Sequence, residues 1–286
     1  MTAGTATDPA GPVAAGEDPA AAGAPGTGAA SAGGDAERTG DDAIRIRGLV
    51  KRYDRQGPIV LDGIDLTVAP GEFVCLLGAS GCGKSTLLSI TAGLEKPTLG
   101  TVELPLGPSA VMFQEASLFP WLTARRNVEL ALKLGGVASR DERRARAQEL
   151  LASVNLSDAG DQRPHELSGG MRQRVALARA LAQDRNVLLM DEPFAALDAI
   201  TRDLLHEELT HVWRRTGRAI VFVTHNVREA ARLGQRVLLM SSRPGRIAQE
   251  WNLDAEGVDR SDATQVAAAA TEITARLREE IRRNAK

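Results

Sequence analysis

The sequence has few cysteines, almost no net charge and no long apolar run. Its 286 residues contain two cysteines, Cys75 and Cys82, which are too few for a disulfide scaffold and fit a reduced, cytoplasmic setting. A formal net charge of −2 lacks the basic excess typical of nucleic-acid binding, so we expect no nucleic-acid partner. No apolar run approaches the ~20 residues that a membrane-spanning helix needs. These scarcities argue against a disulfide-rich scaffold, a generic nucleic-acid binder and a membrane-spanning chain.

Large apolar residues are also nearly missing from the N-terminal end. The first 40 residues contain 13 alanines, 9 glycines and 4 prolines, and apart from Met1 the only large apolar residue is Val13. Such a segment cannot bury enough apolar surface to offset the entropy lost on ordering. It also lacks the basic start and the apolar centre of a secretory signal. We therefore predict that residues 1–42 form a disordered tail.

From residue 43 onward, apolar runs alternate with helix-favouring stretches. Near-continuous apolar runs at 73–77, 187–190 and 219–223 are typical of strands buried on both faces of a parallel sheet. Helices are predicted near 84–92, near 200–215 and from 226, and a further strand at 236–240. Segments 44–46 and 60–68 often alternate apolar with polar residues, which indicates an antiparallel β region at the edge of the sheet. The pattern as a whole predicts an α/β fold.

Two further segments have helical patterns. Residues from about 115 to 165 include a charged, helix-favouring stretch without strand signal, so we predict an inserted helical subdomain there. We place the main domain at 43–255 and a C-terminal amphipathic helix at 256–286, with Asp262 as its N-cap and Gln265 three residues later. The apolar stripe expected to dock this helix consists of Val266, Ala270, Ile273, Leu277 and Ile281.

A glycine-rich segment after the 73–77 run matches the phosphate-loop pattern of Gly, four residues, then Gly-Lys-Ser. Its glycines let successive backbone N–H groups point at phosphate oxygens, and the helix that follows adds the positive end of its dipole. Lys84 can bridge the β- and γ-phosphates of a nucleotide, and the Ser85 hydroxyl can bind Mg²⁺. The predicted nucleotide-binding residues here are Gly78, Ala79, Ser80, Gly81, Cys82, Gly83, Lys84, Ser85 and Thr86.

Cys82 admits two interpretations. A thiol near a helix N-terminus can be reactive. A small residue that simply fits the loop is the favoured interpretation, because nothing nearby resembles a second redox partner.

Two adjacent acids, Asp191 and Glu192, follow the apolar run at 187–190. An isolated acid pair at a solvated strand end is common and carries no function. After a buried strand in a phosphate-loop protein, however, Asp191 is suited to hold Mg²⁺, usually through water. Glu192 is then suited to orient or deprotonate the attacking water. The pair therefore predicts hydrolysis of a nucleotide.

Residues 167–171, Leu-Ser-Gly-Gly-Met, resemble the signature sequence of the ATP-binding subunits of ABC transporters, and the resemblance covers about residues 44–250. The family more often has Gln at the position of Met171. Ser168 is a good N-cap, and Gly169 and Gly170 let a phosphate approach the start of the helix. The resemblance implies that this helix end faces the γ-phosphate held by the second copy of a dimer.

Four other residues match family positions one by one. The resemblance implies that Tyr53 stacks on adenine and that Gln114 senses Mg²⁺ and the attacking water. It also implies that Asp198 couples the two sites of a dimer and that His225 contacts the γ-phosphate. Without that context, Tyr53 would be an ordinary exposed aromatic residue, Gln114 an unremarkable polar one and His225 a structural histidine.

Three stretches resemble one importer subgroup, the nitrate, aliphatic sulfonate and taurine importer ATPases. They are residues 113–123, residues 191–202 (DEPFAALDAITR) and residues 242–247 (SRPGRI). Within the first stretch, Phe119, Trp121 and Leu122 fit either core packing or an apolar contact with a helix of a membrane subunit.

The resulting hypothesis is an ATPase that energises a membrane importer for sulfonate, nitrate or taurine-like small anions. Such a subunit would bind ATP and Mg²⁺ and lie on the cytoplasmic face of the membrane. There it would contact multi-span permease subunits and a second copy of itself, and an extracytoplasmic substrate-binding protein indirectly. One alternative is a soluble ABC-type ATPase acting on ribosomes or DNA, although this chain has one phosphate loop and no sustained heptads. A small-molecule kinase ranks last, because the signature has no role there.

Overall fold

The computed structural model describes residues 42–284, so the predicted tail lies outside the described residues apart from Asp42. The strands are β1 Ile44–Arg52, β2 Ile59–Val68, β3 Phe73–Gly78, β4 Leu99–Glu103, β5 Ala110–Met112, β6 Val187–Asp191, β7 Ala219–Val223, β8 Arg236–Met240 and β9 Ile247–Asn252. The helices are α1 Lys84–Thr91, α2 Ala124–Leu134, α3 Arg140–Ala152, α4 Gly169–Leu181, α5 Ala199–Thr216, α6 Val227–Leu233 and α7 Ala263–Asn284. A short 3-10 helix lies at Pro164–Glu166.

The main sheet has six strands in the order β5-β6-β7-β3-β8-β9. All neighbours are parallel except β9, which pairs antiparallel with β8. Every residue of β3 and of β7 is buried, as the unbroken apolar runs predicted. The α/β fold with a parallel sheet is thereby confirmed. The C-terminal ends of β3, β6 and β7 lie side by side at one edge of this sheet.

The antiparallel strands form a sheet of their own, in the order β2-β1-β4. The two sheets meet where Leu61 bridges Gly245. Apolar side chains of β1 and β2, such as Ile46 and Ile64, pack with α1 and one face of the main sheet. This packing positions α1 between the two sheets.

Helices α2, α3 and α4 pack together on the other side of the molecule, around buried residues such as Leu132, Leu151 and Val175. The N-cap residues Thr123 and Ser139 each accept a backbone N–H from the first turn, an arrangement worth about 1 kcal/mol per helix. Helices α2 and α3 lie within the segment predicted to be helical, and the residue limits of a helical subdomain remain a proposal.

Helix α7 begins after Asp262, whose Oδ1 accepts the Thr264 N–H at 2.8 Å. The Gln265 side chain bonds to Asp262 Oδ2 and to the Asp259 N–H. Ile273 of the predicted stripe is fully buried, whereas Ile281 is 46% exposed, so the last turns project beyond the surface on which the helix docks. None of the helices between residues 42 and 284 combines the length and apolar content that crossing a bilayer requires.

Candidate active site

The phosphate loop connects β3 to α1 and depends on its glycines. Gly83 is the N-cap of α1 with φ +104°, and a Cβ there would lie 2.7 Å from Cδ2 of Leu61. Gly81 also has a positive φ, of +76°. Both positions therefore need a residue without a side chain, because an L-residue would be strained in this backbone region. The shape of the loop therefore places backbone N–H groups at the N-terminal end of α1.

Lys84 lies within the loop, with only 5% of its surface exposed. Its Nζ donates to the carbonyl oxygens of Gly78, at 2.9 Å, and Ala79, at 3.1 Å. The same Nζ lies 4.0 Å from Oε1 of Glu192. A buried ammonium group needs such partners, because desolvation of an unpaired charge is costly. The structure therefore fixes a positive charge between the loop and the acids that follow β6.

The first of these acids, Asp191, is the last residue of β6. Its partial burial raises the pKa of the carboxyl group, and a hydrogen bond with the Ser85 side chain opposes that shift. The structure thus brings together two of the residues predicted to bind a metal. Hydroxyl and carboxylate oxygens are the donors that Mg²⁺ prefers, and a protein site with few ligands suits an ion that keeps water and phosphate ligands. The residues present therefore fit Mg²⁺.

Gln114, the third predicted metal residue, is two residues beyond β5. Its backbone carbonyl accepts a hydrogen bond from Nε2 of Gln173 at 2.7 Å, and its residue surface is exposed. Because β5 neighbours β6 in the sheet, Gln114 follows the strand next to the one that ends in Asp191. The structure anchors its backbone from helix α4 and leaves its side chain accessible.

Glu192 and His225 follow neighbouring strands and meet. The Glu192 N–H donates to the carbonyl of Val223 at 2.9 Å, and Oε2 of Glu192 lies 2.8 Å from Nδ1 of His225. Glu192 has φ +42°, a left-handed conformation that costs a non-glycine residue about 1–3 kcal/mol. Such strain persists where surrounding contacts hold it, here the hydrogen bond to β7. Glu192 thus has Lys84 on one side and His225 on the other.

Tyr53 lies at the outer side of α1. The residue is 59% exposed, and its hydroxyl lies 3.3 Å from the Thr86 hydroxyl and donates to Glu95 at 3.2 Å. Nζ of Lys51 lies 4.8 Å from the ring centroid, within cation–π range. The aromatic face is therefore accessible beside the helix that carries Lys84.

The signature residues start helix α4. Ser168 is the N-cap and accepts the Met171 N–H at 3.2 Å, while Ser168 and Gly169 are exposed. Asp198 caps α5, and its hydrogen bonds from the Thr201 N–H and hydroxyl lower the pKa of its carboxyl group. Across residues 42–284, no hydrogen bond or ion pair joins residues 168–170 to the phosphate loop of the same chain.

The loop after β8, residues 241–246, packs against the phosphate loop, a contact that sequence reasoning missed. The Gly245 N–H donates to the Val60 carbonyl at 2.8 Å, and a Cβ at Gly245 would collide with the Cys82 carbonyl. A Cβ at Gly81 would lie 3.5 Å from Nη2 of Arg243. The SRPGRI motif was the available signal, but it carried only a subgroup resemblance.

Cys82 is buried beneath this loop. Burial raises the pKa of its thiol, and the nearby Lys84 charge opposes that shift only in part. A neutral, buried thiol is a poor nucleophile. The geometry therefore favours a small packing residue over a reactive cysteine.

The segment after Gln114 forms one wall of a groove of ≈ 330 Å³. Phe119 and Trp121 lie 5.4 Å apart between ring centroids and are 38% and 68% exposed, which argues against core packing. Leu134, which also lines the groove, is 80% exposed. Arg179 of α4 holds the segment in place by donating to the carbonyls of Ala116 and Ser117. The groove thus offers accessible apolar surface on a rigid support.

Comparison with known proteins gives consistent matches. The family described as "ABC transporter" matches residues 61–195. The nitrate import ATP-binding protein NrtD of Synechocystis sp. is 48% identical over 210 residues, which cover 71% of this chain and 79% of that protein. The taurine import ATP-binding protein TauB of Burkholderia pseudomallei is 48% identical over 208 residues, covering 70% and 80%.

Solved structures agree with these sequence matches. The dimeric structure of MJ0796, a bacterial ABC transporter cassette, superposes with a TM-score of 0.66 at 35% identity. The match covers 73% of this chain and 98% of that cassette. A structure of the same cassette in a post-hydrolysis state with ADP and Pi gives a TM-score of 0.64.

Proposed function

This chain belongs to the ABC transporter family as an ATP-binding subunit that hydrolyses ATP to energise a membrane importer, and from this membership we propose its substrate class and site chemistry. The imported compound is a small anion of the nitrate, aliphatic sulfonate or taurine class. Two relatives at 48% identity, named for nitrate and taurine import, support this proposal. The subunit itself lies on the cytoplasmic face of the membrane.

The meeting of Lys84, Glu192 and His225 is the observation that carries the proposed mechanism. The phosphate loop binds the β- and γ-phosphates through its backbone N–H groups and Lys84, while the ring of Tyr53 stacks on adenine. Ser85 and Asp191 would hold Mg²⁺, which would supply positive charge to the phosphate oxygens. Gln114 is proposed to approach the same ion from the neighbouring strand end.

Glu192 acts as the general base. It takes a proton from the attacking water while the water oxygen bonds to the γ-phosphorus and the bond to the β–γ bridging oxygen breaks. The contact between Nδ1 of His225 and Oε2 of Glu192 orients the carboxylate and leaves Nε2 for a γ-phosphate oxygen. Most of the barrier reduction then comes from positioning and fixed charge.

A second copy of the chain completes each site. We propose that Ser168, Gly169 and Gly170 contact the γ-phosphate bound by the partner, and that Asp198 lies at the junction between the two sites. Two observations support this. Ser168 and Gly169 at the start of α4 are exposed, and within residues 42–284 the signature has no hydrogen bond to the phosphate loop of its own chain. The MJ0796 cassette is described as dimeric.

The permease subunits use the groove beside Phe119, Trp121 and Leu134. Its apolar walls suit a short helix of a membrane subunit laid into the groove. The substrate-binding protein acts on the permease from the other side of the membrane and does not contact this chain. We also expect no nucleic-acid partner. The relatives named for nitrate and taurine import favour the transporter over the soluble ATPase alternative.

Reconstitution tests this proposal. The chain is placed in proteoliposomes with its permease subunits and a substrate-binding protein. ATP hydrolysis and uptake are then measured with nitrate, taurine, methanesulfonate and maltose. We expect stimulation by at least one of the anions and none by maltose, with no uptake in Glu192→Gln. Stimulation by the neutral sugar alone would overturn the substrate class. Absence of ATP-dependent uptake with all four compounds would overturn the transport role.

A further inference from the structure

Three buried polar side chains form a cluster behind the active site, which we name the switch support. It consists of Thr224 at the end of β7, Glu229 on α6 and His206 on α5. They are 2%, 6% and 3% exposed, respectively. Polar groups buried this deeply are usually hydrogen-bonded, because an unmade bond costs free energy. Nδ1 of His206 is an exception, since it has no hydrogen-bond partner among the described residues.

Glu229 is the centre of the switch support. Its Oε1 accepts a hydrogen bond from Nε2 of His206 at 2.7 Å, and its Oε2 accepts the hydroxyl hydrogen of Thr224. Both carboxylate oxygens are therefore engaged by different elements. Removal of either partner would leave a buried acceptor without its bond.

The switch support fixes the backbone on both sides of His225. Thr224 precedes it, and the same Thr224 hydroxyl oxygen accepts the Asn226 N–H at 3.0 Å. The Asn226 side chain caps α6 by accepting the N–H groups of Arg228 and Glu229. The His225 side chain is 60% exposed, and its one hydrogen bond within residues 42–284 goes to Glu192. Its position therefore depends on the backbone beneath it.

We propose that Glu229 is a positioning residue for His225, and that His206 connects this position to helix α5. Asp198 caps α5 and Thr201 lies in its first turn. The helix therefore contacts the signature at its start, through Thr201, and the switch support at His206, eight residues after Asp198. The inference rests on the proposed function, because it assigns a role relative to the γ-phosphate contact. Neither Glu229 nor His206 touches the nucleotide in this assignment.

The test compares matched variants of the full chain assembled with its permease. Thr224→Val removes the hydroxyl and keeps the shape. His206→Leu removes the donor to Glu229, whereas His206→Gln keeps a donor near the Nε2 position. Thr91→Val serves as the control, since Thr91 is also buried and its hydroxyl donates only to the Leu87 carbonyl of its own helix.

We expect Thr224→Val and His206→Leu to lower kcat about 10- to 100-fold, since small misplacements of a reacting group have effects of this size. KM for ATP should change less than about 3-fold. His206→Gln should recover most of the activity, and Thr91→Val should match the wild type. In a His225→Ala background, the same substitutions should have little further effect on kcat, because coupled residues are not additive.

A purely structural role gives a different result. KM for ATP would then change together with kcat, and the loss of kcat would persist in the His225→Ala background. Either outcome would overturn the inference, and so would full activity of His206→Leu.

A second measurement is independent of transport and turnover. The protein has four histidines, so the ring resonances of His225 can be assigned by NMR with the His225→Ala variant. We expect Thr224→Val and His206→Leu to shift or broaden them, and Thr91→Val to leave them in place. Unchanged resonances would overturn the positioning role even if the transporter function holds. Shifted resonances in a chain that hydrolyses no ATP would contradict the proposed function alone.

Discussion

A Cβ atom at Gly170 would lie 2.6 Å from Cγ2 of Thr201, so the start of α4 touches the first turn of α5 with no space for a side chain. Thr201 also donates its N–H and its hydroxyl to Asp198. The signature and the Asp198 loop therefore form one continuous surface of the same chain. Gly169 differs, since the nearest atoms to its Cβ position are 3.9 Å away.

Because Gly169 has space for a side chain and Gly170 does not, Gly169 is the position to substitute when testing whether a site is shared between two copies. Gly169→Asp adds a carboxylate at an exposed position with space, where it would repel a γ-phosphate. We expect Gly169→Asp and Lys84→Ala each to be inactive, and a mixed dimer of the two to recover some ATPase activity. Recovery follows because one site of the mixed dimer combines an intact phosphate loop with an intact signature.

The control for that experiment is wild type mixed with Lys84→Ala, which should retain activity. If the control retains activity and a verified mixed dimer of the two variants shows none, the shared-site proposal is wrong and each site is formed within one chain. A Gly170→Asp variant would be unsuitable, because its clash with Thr201 would disturb the fold itself.

Glu192→Gln should bind ATP but hydrolyse it at least about 100-fold more slowly, the low end of a general-base contribution. The amide keeps the size of the side chain and loses the basic oxygen that accepts the proton of water. Steady-state phosphate release and nucleotide titration measure the two effects separately. Near-normal turnover would remove Glu192 from the mechanism.

Lys84→Ala should weaken ATP binding itself, because it deletes the positive charge fixed beside the loop carbonyls of Gly78 and Ala79. Titration with a fluorescent ATP analogue measures the affinity. Lys96→Ala is the matched control, since Lys96 is exposed and its side chain makes no bond in the described chain. Equal affinities for the two variants would contradict the assigned role.

Trp121→Ser should weaken association with the permease without a comparable loss of nucleotide binding. Trp121 is 68% exposed and lies beside Phe119, which lines the groove, so the substitution would remove apolar contact with a membrane subunit. Co-purification from detergent measures association, and the fluorescent titration measures nucleotide binding. As a control, Ile281→Ser removes another exposed apolar side chain, near the end of α7. Unchanged co-purification of Trp121→Ser would place the permease contact elsewhere.

Cys75 and Cys82 should resist alkylation in the native protein. Burial raises the pKa of both thiols, so the folded state favours the neutral form up to a higher pH than the unfolded chain. This preference contributes stability below the thiol pKa of the unfolded chain and is lost as pH rises through the folded pKa. Mass spectrometry after iodoacetamide treatment at pH 7 and pH 9 should show slow labelling until the protein is unfolded. Rapid native labelling of Cys82 at pH 7 would indicate a reactive thiol.

The sequence predicted the strands of the main sheet that have strong local signals. Strands β3, β6 and β7 are continuous apolar runs, so their burial follows from their composition alone. Strand β5 has three residues, and its partner β6 is about 75 residues later, so no local pattern identifies it. Strand β9 alternates half-buried and exposed residues and becomes a strand by pairing with β8.

The same distinction applies to the site. The phosphate loop and the acids after β6 are short motifs whose spacing is local, and they could be predicted from the sequence. The pairing of His206 with Glu229 joins two helices, and it depends on how those helices pack on the sheet. No spacing rule within one element predicts such a contact, because the partners meet only in the folded chain.

Helix α4 connects the signature to the segment that leads into the groove, where the permease contact is proposed. Ser168 is at its start, whereas Gln173 and Arg179 hold carbonyl groups of the segment at 114–117 that leads into the groove. A helix of 13 residues is about 20 Å long, so a tilt of about 10° displaces one end by about 3 Å relative to the other. A permease subunit that tilts α4 from the groove end would therefore displace the signature residues, and the length of the helix sets the size of that displacement.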